Sequence, residues 1–187
     1  MDLEDLMHVH RGVAALARGL DPADWSRATP CPGWDVAAVV RHLVDGEQAF
    51  TTSLSGVPYD LAAVYAEVEE LPDVLLAEVL ESAGDTLREA LAVAGPGSYP
   101  SGLGPMPAPA IAELRTIEAL THGWDVARAT GHPLEVSDEV AERALEASRR
   151  FLLRLPPDRT PFGPSQQVDD AAPAADRLAA LLGRRPG

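Results

Sequence analysis

Residues 108–131 read APAIAELRTIEALTHGWDVARATG, a segment with helical spacing throughout. Ile111, Leu114, Glu118, His122 and Asp125 fall on one stripe, because offsets of three, four and seven return to the same helical face. The stripe starts apolar and turns polar. If Ile111 and Leu114 point into a core, two carboxylates and an imidazole follow them inward, where unpaired polar groups are costly. A bound metal ion resolves that conflict, since Glu118 and His122 stand one turn apart and reach the same side. Taken alone, a Glu-x-x-x-His pair also occurs on solvated faces.

Moving outward, Gly131 and Pro133 end this helix, and the Gly- and Pro-rich run 95–109 before it predicts an extended loop. Asp73 to Ala94 is expected to be helical, with Leu76, Val79, Leu80, Ala83, Leu87 and Leu91 inward. Asp35 caps a helix to about Leu54 whose apolar face is Val36, Val39, Val40, Leu43 and Phe50, with His42 at its edge. The first helix carries Leu3, Leu6, Met7, His10, Val13 and Ala17, and a short helix is expected over 61–71. Ser137 caps another to about Leu155, and Pro173 starts a terminal one stopped at Gly183. This succession predicts an all-α bundle over residues 1–155, with residues 156–187 as a tail packed on it.

Composition narrows the function classes. The net charge is −14, with no Lys and all 15 basic residues Arg, which excludes a phosphate backbone as the favoured partner: no nucleic acid is expected. No apolar run approaches a membrane span, and the start at Met1-Asp2-Leu3-Glu4 lacks a signal peptide's basic and apolar regions, so a cytoplasmic protein without membrane contact is expected. Cys31 is the single cysteine, which excludes an internal disulfide and any Cys-rich zinc site. Held between Pro30 and Pro32 with no base or cation evident beside it, it reads as a buried structural thiol. His10 reads as a hydrogen-bonded core residue, and Arg115 and Arg128 as solvated surface arginines.

His42 and the Glu118–His122 pair are candidates to converge inside the bundle. Two imidazoles and a carboxylate around an open position match the ligands of catalytic zinc sites, although nickel or iron would accept them too. Asp125 or Asp35 is placed to orient an imidazole from behind.

Thr29-Pro30-Cys31-Pro32-Gly33-Trp34-Asp35, then Arg41-His42-Leu43, then Glu118-Ala119-Leu120-Thr121-His122-Gly123-Trp124-Asp125 together resemble the mycothiol-dependent maleylpyruvate isomerase metal-binding family. The resemblance implies a DinB-like four-helix bundle with a short C-terminal helical tail. It implies His42, Glu118 and His122 as ligands of a divalent metal, zinc first, with mycothiol as the thiol cofactor. It further implies a metal-activated thiolate attacking a small electrophile, as an S-transferase or an isomerase. The isomerase itself has a larger C-terminal domain than residues 156–187 supply, so the reaction need not be the same.

Two other functions compete. A non-catalytic metal-binding or regulatory protein of the same fold predicts a closed shell or no pocket. A metal-dependent hydrolase needs a general base near the open position, for which Asp125 is best placed on the stripe. A monomer or a homodimer is expected.

Overall fold

The computed structural model describes residues 1–56, 68–154, 160 and 162–186. Among these the chain forms α1 (Leu3–Arg18), α2 (Val36–Leu54), α3 (Asp73–Val93), α4 (Ala108–Thr130), α5 (Asp138–Leu152) and α6 (Ala174–Leu181). Extended pairing among the described residues is limited to two isolated bridges, Ala28 with Asp35 and Tyr99 with Met106. The fold is all-α, as expected. The short helix expected over 61–71 lies mostly outside the described residues, as does Leu155.

Each helix starts and stops for local reasons. The Asp2 carboxylate accepts from the amides of Glu4 and Asp5, the Asp35 carboxylate from Ala38, and the Ser137 hydroxyl from Val140. α4 ends at Gly131, whose φ of 79° is the left-handed conformation that closes a helix. α5 stops at Leu152, a turn before the expected end.

In the bundle, α1 and α2 each pack against both α3 and α4, while α5 and α6 pack on each other and on α4. The apolar stripes meet in a core of Val39, Val40, Leu43, Leu76, Ile117 and Leu120, each 4 % exposed or less. Each such side chain contributes about 1.5–3 kcal/mol relative to exposure. α4 is buried on nearly every side, from Ile111 to Val126, because it packs against α1 and α2 as well as against α5 and α6. That position explains why its inward polar residues are available to a site.

One sequence expectation fails here. Arg115 is 2 % exposed and lies against Glu47, which is fully buried. Its Nη2 donates to Glu47 Oε1 at 2.9 Å and its Nε to Oε2 at 3.3 Å, a two-pronged charge-assisted pair. Gly46 leaves the space: a Cβ there would stand 2.5 Å from Arg115 Nη1. His10 is buried as expected, with Nε2 3.0 Å from Glu47 Oε1. Arg128 is on the surface as expected and lies over the Trp124 ring at 5.4 Å.

Candidate metal centre

α2 brings His42, and α4 brings Glu118 and His122, to one place between the two helices. One donor atom from each of the three lies within 4.8 Å of the other two. His42 Nε2 is 3.2 Å from Glu118 Oε2, and His122 Nε2 is 3.8 Å from the same oxygen. Both imidazoles therefore turn the same nitrogen toward one carboxylate oxygen. Glu118 is 12 % exposed and His122 6 %, whereas His42 is 36 % exposed and opens toward solvent. Burial pushes the Glu118 carboxyl up, but the His42 hydrogen bond, His122 and Arg115 outweigh it and hold it at about 2. A carboxylate that stays ionised beside two imidazoles is a donor set suited to zinc or a similar divalent ion.

The two expected orienting carboxylates part company. Asp125 is fully buried and its Oδ2 lies 3.1 Å from His122 Nδ1. A carboxylate only accepts, so Nδ1 donates, and in the neutral imidazole this leaves the Nε2 lone pair on the Glu118 side. Asp35 caps α2 through Ala38 instead, the other role its position allowed. Arg184 also engages both Asp125 oxygens, with Nε donating to Oδ1 at 3.2 Å and Nη2 to Oδ2 at 2.9 Å.

Three further residues border the site. Trp34 stacks on His122 with ring centroids 5.7 Å apart and planes at 21°, and lies 4.8 Å from His42. It reaches there on the turn in which Thr29 N and Thr29 Oγ1 both donate to Trp34 O. Cys31, on the same turn, has its sulfur within 4.8 Å of donor atoms of His122 and Asp125. Burial pushes its thiol up, with Arg184 pulling the other way, so the cation that sequence did not reveal comes from the tail. Nothing in the sequence pattern marks Arg184. The Trp34 signal was its place in the Pro-rich turn just before the His42 helix.

A cavity of about 470 Å³ opens on the three donors and is also lined by Cys31, Trp34, Phe162 and Arg184. A larger groove of about 830 Å³ runs along Trp25 and Asp73 but offers no imidazole or thiol. The smaller cavity is where the chemistry-bearing groups meet.

Residues 6–127 match the sequence profile of the mycothiol maleylpyruvate isomerase N-terminal domain. The chain belongs to that family. The matched span contains Cys31, Trp34, His42, Glu118, His122 and Asp125, and stops before α5, α6 and Arg184. Two uncharacterized proteins of Mycobacterium tuberculosis, from strains CDC 1551 / Oshkosh and H37Rv, are 31 % identical over 176 residues, covering 91 % of each chain. Among solved structures, the mycothiol-dependent maleylpyruvate isomerase is similar with a TM-score of 0.60 and 17 % identity, over 79 % of this chain and 69 % of that one. A histidine-to-alanine mutant of that isomerase gives a TM-score of 0.56 over the same shares. This likeness shows that the isomerase family fold extends over most of the chain. Among the described residues, no helix is long and apolar enough to cross a membrane.

Proposed function

We propose that this chain binds a divalent metal ion, zinc first, through His42, Glu118 and His122, and uses it to activate a low-molecular-weight thiol toward a small electrophile. The observation that carries this is the convergence of three donors on the wall of a cavity of about 470 Å³. The thiol is mycothiol, as the names of the family and of the similar structures suggest. We assign metal binding to residues 1–155 and treat residues 156–187 as an accessory tail. We assign the activity to the cytoplasm, where low-molecular-weight thiols stay reduced.

When bound, such an ion supplies Lewis-acid stabilisation of a thiolate at neutral pH. The remaining work belongs to the side chains. Glu118 would offer negative charge to such an ion, and the two imidazoles would complete the donor set. Asp125 holds the His122 Nδ1 proton, so Nε2 stays free to ligate. Trp34 covers the His122 ring face and limits water there. Displacement at the electrophilic carbon joins it to the thiol sulfur and expels a leaving group, an S-transfer. Addition followed by elimination returns the thiol and isomerises a double bond.

An open cavity favours this over a closed structural ion. Saturation of Asp125 by Arg184 removes the base that a hydrolase would draw from this stripe. The test loads purified protein with Zn²⁺ and follows mycothiol consumption with chlorobimane as the electrophile. Conjugation faster than without protein, abolished in His122→Ala, supports the proposal. Equal rates with both proteins would contradict it.

A further inference from the structure

Arg184 follows α6 in the C-terminal tail and lies outside the residues matched by the family profile. It is 7 % exposed. Three side-chain bonds run inward: Nε to Asp125 Oδ1 at 3.2 Å, Nη2 to Asp125 Oδ2 at 2.9 Å, and Nη1 to the Leu182 carbonyl at 3.0 Å. Three of the five guanidinium N–H donors are thus engaged inward, each on a different nitrogen. Its grip on Asp125 is the bidentate geometry that fixes a carboxylate in both position and plane.

The tail is itself fixed where Arg184 leaves it. Trp124 Nε1 donates to Asp176 at 2.6 Å, which ties α6 to α4. Gln166 N donates to Ala180 O at 2.8 Å, and Arg184 N to Ala179 O at 2.9 Å. The chain then turns at Gly183, with φ at 92°, and crosses Gly163 so closely that a Gly183 Cβ would lie 2.8 Å from Gly163 Cα. A side chain at Gly183 would block that crossing, which puts Phe162 and Arg184 together on the cavity wall.

We infer that Arg184 is a positioning residue of the metal centre, acting through Asp125 to hold the His122 ring in the Nδ1–H form with Nε2 turned to Glu118. The sequence of contacts is unbroken: Arg184 to Asp125 at 2.9 Å, and Asp125 to His122 Nδ1 at 3.1 Å. Without the guanidinium, Asp125 is a buried carboxylate that has lost its cation, and it must turn or draw in water. The imidazole then loses the acceptor that selects its tautomer. The C-terminal tail is thereby part of the site's machinery as well as its wall. This inference rests on His122 being a metal ligand, but its central step concerns the metal-free ring.

The test uses the full chain as wild type, Arg184→Met and Arg184→Lys, with two readouts. The first is the ¹⁵N–¹H correlation of the His122 imidazole in metal-free protein, in buffer alkaline enough to keep imidazoles neutral. The second is Co²⁺ titration followed by visible absorption. We expect the Nδ1–H tautomer in wild type and a tautomer mixture in Arg184→Met. We also expect Co²⁺ affinity about tenfold weaker in Arg184→Met, with partial recovery of both properties in Arg184→Lys. If Arg184→Met does not fold, Arg184→Lys still decides, because the charge remains while the two-pronged grip is lost. Wild-type tautomer and Co²⁺ affinity in every folded variant would overturn the inference. A wild type that binds no Co²⁺ but whose tautomer depends on Arg184 would overturn the metal proposal alone.

Discussion

His42 and Glu118 stand 76 residues apart in the chain, yet His42 Nε2 lies 3.2 Å from Glu118 Oε2. The contact exists because α2 and α4 bury facing apolar stripes, which leaves the polar positions of both stripes opposite each other. Removing either partner takes one of three donors from the proposed site. His42→Ala and Glu118→Gln are each expected to weaken Zn²⁺ binding by more than about 100-fold, beyond the range for outer-shell changes. Competition against a chromogenic chelator measures this; wild-type affinity in either variant would remove that residue from the ligand set.

The pair behind the site carries stability. Glu47→Gln takes away the buried carboxylate that faces Arg115 and His10. Its expected cost is about 3–5 kcal/mol, read from urea unfolding. Replacing both partners with apolar residues, Glu47→Leu with Arg115→Met, is expected to recover much of that loss, because neither charge then needs a partner. A single variant within about 0.5 kcal/mol of wild type would show that this cluster carries little stability.

The same cluster sets an acid dependence. Burial pushes the Glu47 carboxyl up, but Arg115 and His10 outweigh it and hold it at about 2, below the ordinary 4.5. A depressed carboxylate favours folding above its unfolded value and loses that contribution as pH falls through its folded value. Metal-free protein is therefore expected to lose Tm steeply from about pH 4.5 down to about 2. The slope should be shallower in Glu47→Gln; equal slopes would assign the acid dependence to other carboxylates.

Trp34 offers an optical report on the centre. It is one of three tryptophans and the one whose ring stacks on His122 and contacts His42. Co²⁺ is expected to quench a fraction of the intrinsic fluorescence in wild type and far less in Trp34→Phe. Equal quenching in both would mean that the ion binds away from this ring.

Most of the fold was legible because its helices obey local rules. Asp2, Asp35 and Ser137 cap where their side chains allow, and Gly131 ends α4. The Ile111 to Asp125 stripe announced that polar groups enter the interior, and the structure brings His42, Glu118 and His122 together as the spacing and resemblance implied. Arg115 was misread because its neighbour Glu47 sits on another helix, and no periodicity within α4 reveals a partner 68 residues away. Arg184 was invisible for a similar reason: its tie to Asp125 depends on a crossing of two glycine-bearing tail segments that no pattern announces. Cys31 looked isolated from charge because the nearby cation arrives from the far end of the chain.

The most direct test of the central claim is metal content by elemental analysis of protein purified without a metal-affinity tag, wild type beside His122→Ala. The account predicts about one divalent ion per folded wild-type chain, lost in the variant, as a single catalytic-type site requires. No ion in the wild type, or the same content in a folded His122→Ala, would contradict it.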